Sequence, residues 1–133
     1  MSFGLDKSID ILKRTPYVLN SLLRDIDEFW ANQNEGENTW SPFDVVRHLV
    51  HGEKTDWITR ATIILNDSEA KVFEPFDRFA QFEDSKGKSL NDLLDQFEIL
   101  RSKNLKIIDD LNISVGDFEK TGIHPALGPV SLK

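Results

Sequence analysis

The sequence predicts an all-α protein, a bundle built mainly from three amphipathic helices. Two observations lead to this fold class. Apolar residues recur every three or four positions in three long segments, and each segment begins with a serine or a proline of the kind that starts helices. No segment alternates polar and apolar residues for long enough to predict a strand. With 133 residues and no internal repeat, we expect one domain over residues 1–133.

The first helix is predicted at residues 16–32. Thr15 is a candidate N-cap, and Pro16 fits the first helical position, where its missing N–H leaves no bond unmade. The preceding segment, 5–14, has the same periodicity. We expect it to be a separate, shorter helix, because the residue before a proline avoids the helical backbone conformation. The predicted apolar face of the first helix consists of Leu19, Leu22, Leu23, Ile26, Phe29 and Trp30.

The second helix is predicted at residues 42–66 and the third at 89–111. Ser41 precedes Pro42, and Asp44 follows three positions after the serine. This spacing resembles a capping box, in which the two side chains pair with each other's backbone N–H groups. The third helix begins at Ser89 by the same logic.

The segment between these two helices is predicted to be a long connection without a sustained period. Four phenylalanines follow one another there at intervals of three: Phe73, Phe76, Phe79 and Phe82. We expect them to cover the core beneath the connection; the alternative is that they line the mouth of a pocket. Trp40 and Trp57 are predicted to anchor the core.

Composition excludes several classes of function. The net charge of −7 argues against nucleic acid as a partner, because phosphate binding relies on clustered Lys and Arg. No apolar run approaches the ~20 residues that span a bilayer, and the N-terminus lacks the features of a signal peptide. The absence of cysteine rules out disulfides and thiolate ligands. A cytoplasmic location and no membrane partner are therefore expected.

His48 and His51 lie three positions apart in TWSPFDVVRHLVHGE, residues 39–53. This spacing puts both imidazoles on neighbouring parts of one helix face, from which they could reach one metal ion. Glu53 and Asp56 could add carboxylate ligands.

Periodicity favours a plainer reading of the same stretch. The main apolar direction of the second helix points away from His48, which predicts a surface or helix-interface position for that side chain. His51 is predicted to face solvent. Glu53 falls near the apolar face, where we expect an aliphatic stem covering the core and a solvated carboxylate; the alternative is a partner that orients a histidine. His124 precedes a proline, and we predict a structural role in which its imidazole bonds a helix end.

Four stretches of the chain carry a family resemblance. They are WSPFDVVRHL at 40–49, VFEPFDRF at 72–79, LLDQFEILR at 93–101 and TGIHPALGPVSL at 121–132. Together they resemble the DinB-like family (damage-inducible protein B, related to bacillithiol-transferase-like proteins), in the right order and over almost the whole chain.

The resemblance implies a four-helix up-and-down bundle, often dimeric, in which three histidines hold a divalent metal. His48 corresponds to the ligand on the second helix. The other two ligands belong to a His-x-x-x-His pair on the last helix, which this sequence does not contain. We therefore expect a DinB-like bundle with its last helix absent or truncated, and Ni or Zn binding only if the missing histidines are supplied.

Two hypotheses about function follow from the resemblance. The first is a metal-dependent enzyme, of the thiol-transferase or hydrolase type, acting on a small molecule that the sequence does not identify. The second is a non-catalytic dimeric bundle that serves as a binding or stress-related module.

Association is predicted from the same truncation. Without a fourth helix, the inner apolar stripes would leave a groove open to water, and exposed patches of that size usually mark an interface. We expect a homodimer that closes this groove. The residues predicted to line it include Leu23, Ile26, Val46, Trp57, Leu94 and Phe97.

Overall fold

The computed structural model describes residues 4–66 and 71–133. The elements in these ranges are the helices α1 (Leu5–Leu23), α2 (Glu28–Asn32), α3 (Pro42–Thr55), α4 (Trp57–Leu65), α5 (Ala80–Asp84) and α6 (Leu90–Asp110), a 3-10 helix (Val115–Glu119) and the strands β1 (Thr121–His124) and β2 (Gly128–Ser131). The predicted helical fold class is confirmed. None of the helices in the described ranges combines the length and the hydropathy needed to cross a membrane.

The core lies where α6 packs against both α1 and α3. Its fully buried members are Val46, Val50, Leu93, Leu94 and Phe97. Three of them, Val46, Leu94 and Phe97, were predicted to line an open groove. That prediction is wrong, because α1, α3 and α6 already enclose these side chains.

A single helix, α1, replaces the two helices that were predicted on either side of Thr15. Pro16 lies inside it and is buried. A proline in a helix leaves the carbonyl four residues earlier without its N–H partner. Here that carbonyl belongs to Leu12, and Nη1 of Arg101 on α6 donates to it at 2.9 Å. The bond from α6 offsets the loss, and this is why the helix continues through the proline.

The first predicted helix also ends earlier than expected. α1 stops at Leu23, and Asp25 adopts a left-handed backbone conformation with φ of 59°. The chain restarts as the short helix α2, where the Asp27 carboxylate accepts the Phe29 N–H at 2.8 Å. Residues 16–32 are therefore not one helix.

The second predicted helix is divided into α3 and α4 at Asp56, whose backbone angles, φ −107° and ψ −95°, are not helical. Its predicted start is confirmed, since Ser41 and Asp44 form the expected capping box. The third predicted helix is confirmed as α6, with Ser89 as its N-cap and Asp92 completing a second capping box.

A buried ionic cluster joins α3, α6 and α1, and we call it the Glu53 cluster. Glu53 is only 3% exposed. Arg101 donates to Oε1 of Glu53 through Nε at 2.9 Å and through Nη2 at 2.6 Å. Asn104 donates to Oε2 at 2.9 Å, and the Trp57 indole donates to Oε1 at 2.9 Å. The expectation of a solvated carboxylate at Glu53 is wrong, and its partners include no histidine.

A small antiparallel hairpin, β1 and β2, closes the far end of the bundle. The sequence predicted no strand, because each strand has only four residues. The Phe73 N–H donates to the Ile123 carbonyl at 2.9 Å, so the segment after α4 lies alongside β1. A side chain at Gly122 would meet the Phe73 ring at 2.5 Å, and this contact requires glycine.

The predicted aromatic anchors take different positions. Trp40 is 42% exposed and is not a core residue. Trp57 is half-buried against the cluster of Ile58, Ala61 and Ile108. Phe73 is buried, whereas Phe79 is exposed, so only part of the predicted phenylalanine cover reaches the core.

Candidate functional site

His48 lies at the interface between α3 and α5. This agrees with the surface or helix-interface position predicted from its place opposite the apolar face of the second predicted helix. Its Nδ1 is 3.0 Å from Oε1 of Gln81, which is only 1% exposed. With the Gln81 amide in this orientation its oxygen accepts, which assigns the proton to Nδ1 and the lone pair to Nε2. The ring also packs against Trp40, with centroids 4.8 Å apart. His48 is therefore held in one tautomer and one orientation.

His51 is buried, at 4% exposure, and the prediction that it faces solvent is wrong. Its Nδ1 is 3.2 Å from Oδ2 of Asp84 on α5. An ionised carboxylate only accepts, so this nitrogen also carries the proton. The short helix α5 covers this face of α3, and periodicity within α3 alone could not reveal that cover.

Each of the two histidines on α3 has a polar partner on α5. His48 and His51 are three residues apart, and so are their partners Gln81 and Asp84. Phe76 lies edge-on to both imidazoles, with centroid distances of 5.2 Å and 5.1 Å. We call these five residues the histidine site. They place two imidazoles of the same tautomer next to each other.

Two buried nitrogens in or next to the histidine site have no hydrogen-bond partner among the described residues. They are Nε2 of Gln81, within the site, and Nε of Arg47, next to it. Arg47 lies over the Phe82 ring, with its guanidinium carbon 4.2 Å from the ring centroid, and it pairs with Asp44. Partial burial lowers the pKa of the Arg47 guanidinium. A buried amide group without a hydrogen-bond partner lowers the stability of the folded state by about 1–3 kcal/mol. A ligand that bonds this nitrogen would remove that penalty.

His51 also lines a pocket of about 280 Å³. Phe76 forms one wall and the ion pair of Asp56 and Arg60, with 2.8 Å between Oδ1 and Nε, lies at another. The remaining lining residues are Thr55, Glu74, Pro75, Asp77 and Ala80. This volume is close to the lower limit for small-molecule sites.

A second cavity of about 450 Å³ lies at the hairpin end and is mostly apolar. Residues of α1, α4, α6 and the hairpin line it, among them Leu5, Ile9, Trp57, Phe73, Ile108 and Leu132. His124 also lines it.

The predicted carboxylate ligands are not free to join His48. Arg101 binds the Glu53 carboxylate, and Arg60 pairs with Asp56. Across residues 4–66 and 71–133, no three His, Cys, Asp or Glu side chains come together as a metal-binding group. The described residues thus fit an implied metal only in part, because His48 is the one histidine among them that the resemblance matches to a ligand position.

His124 stabilises the turn between β1 and β2. Its Nδ1 accepts the backbone N–H groups of Ala126 and Leu127, each at 3.1 Å. The backbone of Gly128 has a positive φ of 72°, which glycine adopts readily. The prediction of a helix-end partner for His124 is wrong, since the imidazole bonds its own turn.

Sequence reasoning missed Gln81 and Asp84, and it noted Arg101 only as the end of the LLDQFEILR stretch, without its bond to Glu53. Gln81 and Asp84 lie on a helix of five residues, too short to produce a periodic pattern. The one available signal was their spacing of three, which repeats the spacing of the two histidines. Arg101 was hidden because arginine is seldom buried unless it is paired.

Comparisons with known proteins agree with this architecture. A family model described as the DinB superfamily matches residues 11–133. A solved structure of YfiT from Bacillus subtilis superimposes with a TM-score of 0.80 at 21% identity, covering 98% of this chain and 76% of that one. It is described as "a probable metal-dependent hydrolase with an unusual four-helix bundle topology". No curated protein matches the chain. The predicted resemblance and fold class are confirmed.

Proposed function

This chain belongs to the DinB superfamily, and from that premise we propose that it is a metal-dependent enzyme that carries out hydrolysis or thiol transfer on a small molecule. The observation that carries the proposal is the environment of His48. Oε1 of Gln81 lies 3.0 Å from Nδ1 of His48, which leaves Nε2 as the ring nitrogen available to a metal ion. Metal-binding histidines usually have such a partner on the second nitrogen.

The metal proposed is Ni²⁺ or Zn²⁺, because imidazole suits both ions. When bound, such an ion would lower the pKa of a water or thiol. Catalytic sites typically combine three protein ligands with an open position. His48 would be one ligand, and the other two would come from groups outside the histidine site. The description of YfiT as a probable metal-dependent hydrolase supports the same class of chemistry.

The test is metal content in the full natural chain. We expect His48→Ala to lose bound Ni²⁺ or Zn²⁺, whereas His124→Ala keeps it, because His124 bonds only its own turn. His51→Ala should also keep the metal. Elemental analysis that finds full occupancy in His48→Ala would defeat the proposal. A wild-type protein that binds neither ion would favour the alternative, a non-catalytic module.

We also propose that the chain is a homodimer. Support comes from α1, where Ile11, Val18 and Leu22 are more than half exposed and, at spacings of seven and four, share one face. Exposed apolar clusters usually mark interfaces. Sedimentation at micromolar concentration should give a dimer, and Leu22→Lys should shift it to monomer. A wild-type monomer throughout the concentration range would contradict this proposal.

A further inference from the structure

The partners of the two imidazoles in the histidine site differ in charge. Gln81, the partner of His48, is neutral, whereas Asp84, the partner of His51, is a carboxylate. Both partners fix the tautomer, but only the carboxylate stabilises the positive charge that forms when the ring takes a proton. Of the two rings, His51 is therefore the one equipped to accept a proton.

We propose that His51 is the proton acceptor for a small substrate or water molecule in the 280 Å³ pocket beside it, and that Asp84 is its positioning residue. The proposal rests on the hydrolysis or thiol transfer proposed above, since both reactions need a group that takes a proton from the nucleophile. The chain's own groups that it uses, His51 and Asp84, both lie among the described residues.

The geometry of His51 supports this role. Asp84 occupies Nδ1, and no described residue bonds Nε2, so Nε2 is the ring nitrogen left for a molecule in the pocket. The ring is held between α5 and the edge of Phe76, and its side chain is only 5% exposed. The base is therefore held in place before the substrate arrives.

The charges around the pocket define the substrate class. Asp56 and Arg60 neutralise each other at 2.8 Å, while Glu74 and Asp77 add negative charge to the lining. The ammonium of Lys54 lies 3.9 Å from Oδ2 of Asp84, the oxygen that His51 also contacts. An uncharged or cationic small molecule fits this lining better than an anion does.

The O–H or S–H proton of the nucleophile passes to Nε2 of His51 while its oxygen or sulfur bonds the electrophilic carbon of the substrate. The leaving group departs with the electron pair of the broken bond and takes the proton back from the imidazolium. Nε2 is then ready to accept the next proton.

The experiment uses the purified chain, with the Ni²⁺ and Zn²⁺ content of every variant measured and matched to that of wild type. The probe is 4-nitrophenyl acetate, with water as the nucleophile. His51→Gln should lower kcat by roughly 100-fold. Asp84→Asn, which keeps the size and removes the charge, should lower kcat by about 10-fold and leave KM unchanged. The wild-type reaction should be slower in D2O. The matched control is Glu83→Gln, which removes the same charge one residue away, at a side chain 79% exposed, and should keep the wild-type rate.

A second measurement distinguishes a role of Asp84 in positioning His51 for proton transfer from a hydrogen bond that only holds α5 against α3. Nitrogen-15 NMR of the histidine rings should find the proton on Nδ1 of His51, and Asp84→Ala should release this preference while circular dichroism stays helical. The proposal is overturned if His51→Gln hydrolyses the probe as fast as wild type, or if the proton lies on Nε2. Because the metal content is matched between variants, a change in rate is assigned to His51 and not to a loss of Ni²⁺ or Zn²⁺ at His48. Metal retained at His48 together with an inert His51 would defeat this inference alone.

Discussion

Two polar clusters share helix α3, the Glu53 cluster and the histidine site, and they differ in how completely their hydrogen bonds are satisfied. In the Glu53 cluster, both carboxylate oxygens accept bonds, and Arg101 also reaches the carbonyl that Pro16 leaves unpaired. In the histidine site, each imidazole is bonded only through Nδ1, and the Gln81 amide nitrogen has no partner among the described residues.

The difference distinguishes a cluster whose hydrogen bonds are complete from one in which ring nitrogens are left for the proposed ligands. A closed network gives no place for a ligand, and removing one member leaves a buried charge behind. An incomplete network retains lone pairs that a ligand can use. Buried polar groups without partners are rare in native structures, and a bound ligand is one way to supply the missing partner. We therefore expect mutations in the Glu53 cluster to lower the free energy of unfolding. Mutations in the histidine site should instead weaken metal binding and reduce the proposed enzymatic activity.

The largest expected effect is that of Arg101→Met. It leaves the buried Glu53 carboxylate without its cation and the Leu12 carbonyl without its donor. We expect the free energy of unfolding to fall by about 3–5 kcal/mol, measured by urea denaturation with an unchanged m-value. The control Lys103→Met, at an exposed position on the same helix, should change it by less than about 0.5 kcal/mol.

Gln81→Leu tests the other side of the comparison. The substitution removes the orphaned amide nitrogen together with the acceptor for His48, so we expect the unfolding free energy to change by no more than about 1 kcal/mol. Metal affinity of the full natural chain should nevertheless fall about 10- to 100-fold, because His48 loses its fixed tautomer. Gln96→Leu, on α6, serves as the control with unchanged affinity. A loss of stability as large as that of Arg101→Met would erase the distinction between the two clusters.

A double-mutant cycle of Pro16→Ala and Arg101→Met sharpens the account of the Glu53 cluster. Alanine at position 16 restores an N–H that can bond the Leu12 carbonyl, the group Arg101 otherwise satisfies. We expect Arg101→Met to be less destabilising in the Pro16→Ala background by about 1 kcal/mol. Strict additivity in urea denaturation would show that Arg101 does not compensate for the proline.

The smallest expected effect lies outside both clusters, at the exposed start of α6. The Ser89 N–H bonds the Asp92 carboxylate at 2.8 Å, and this bond, followed by that of the Ser89 hydroxyl, lowers the pKa of Asp92 below its ordinary value of 3.8. The folded state therefore favours the charged form. The resulting stability is present above pH 3.8 and is lost as the pH falls through the lower folded pKa.

Asp92→Asn should consequently lower stability slightly at neutral pH and make no difference in strong acid, where wild-type Asp92 is protonated as well. Urea denaturation of both proteins at the two pH values measures this change. A difference that persists unchanged in strong acid would rule out the charge of Asp92 as its cause.

The long helices and their caps could be predicted because their signals are local. Ser41 with Asp44, and Ser89 with Asp92, lie three residues apart, and the helix starts follow from these pairs alone. The continuation of α1 through Pro16 could not be predicted, because the compensating donor lies 89 residues away on α6. The division at Asp56 likewise follows from no local helix breaker.

The histidine site was only partly predictable for the same reason. His48 was found through its motif and its position on α3, but the environment of His51 depends on α5, a helix too short to leave a pattern. Glu53 was placed near the apolar face of the second helix, but its carboxylate was expected to be solvated. Its role depends on Arg101 and Asn104, which come near it only when α6 packs against α3.

The pairing of Phe73 with Ile123 has a consequence for the order of folding. Residues 71–73 lie beside β1 through two backbone bonds, Phe73 N–H to the Ile123 carbonyl at 2.9 Å and Ile123 N–H to the Lys71 carbonyl at 2.6 Å. The partners are about fifty positions apart, and the chain between them contains α5 and all of α6. Contacts between distant parts of a chain form late, because the intervening loop must close first. The pairing should therefore form after α6 has docked on α3, so that the hairpin end is the last part of the molecule to assemble.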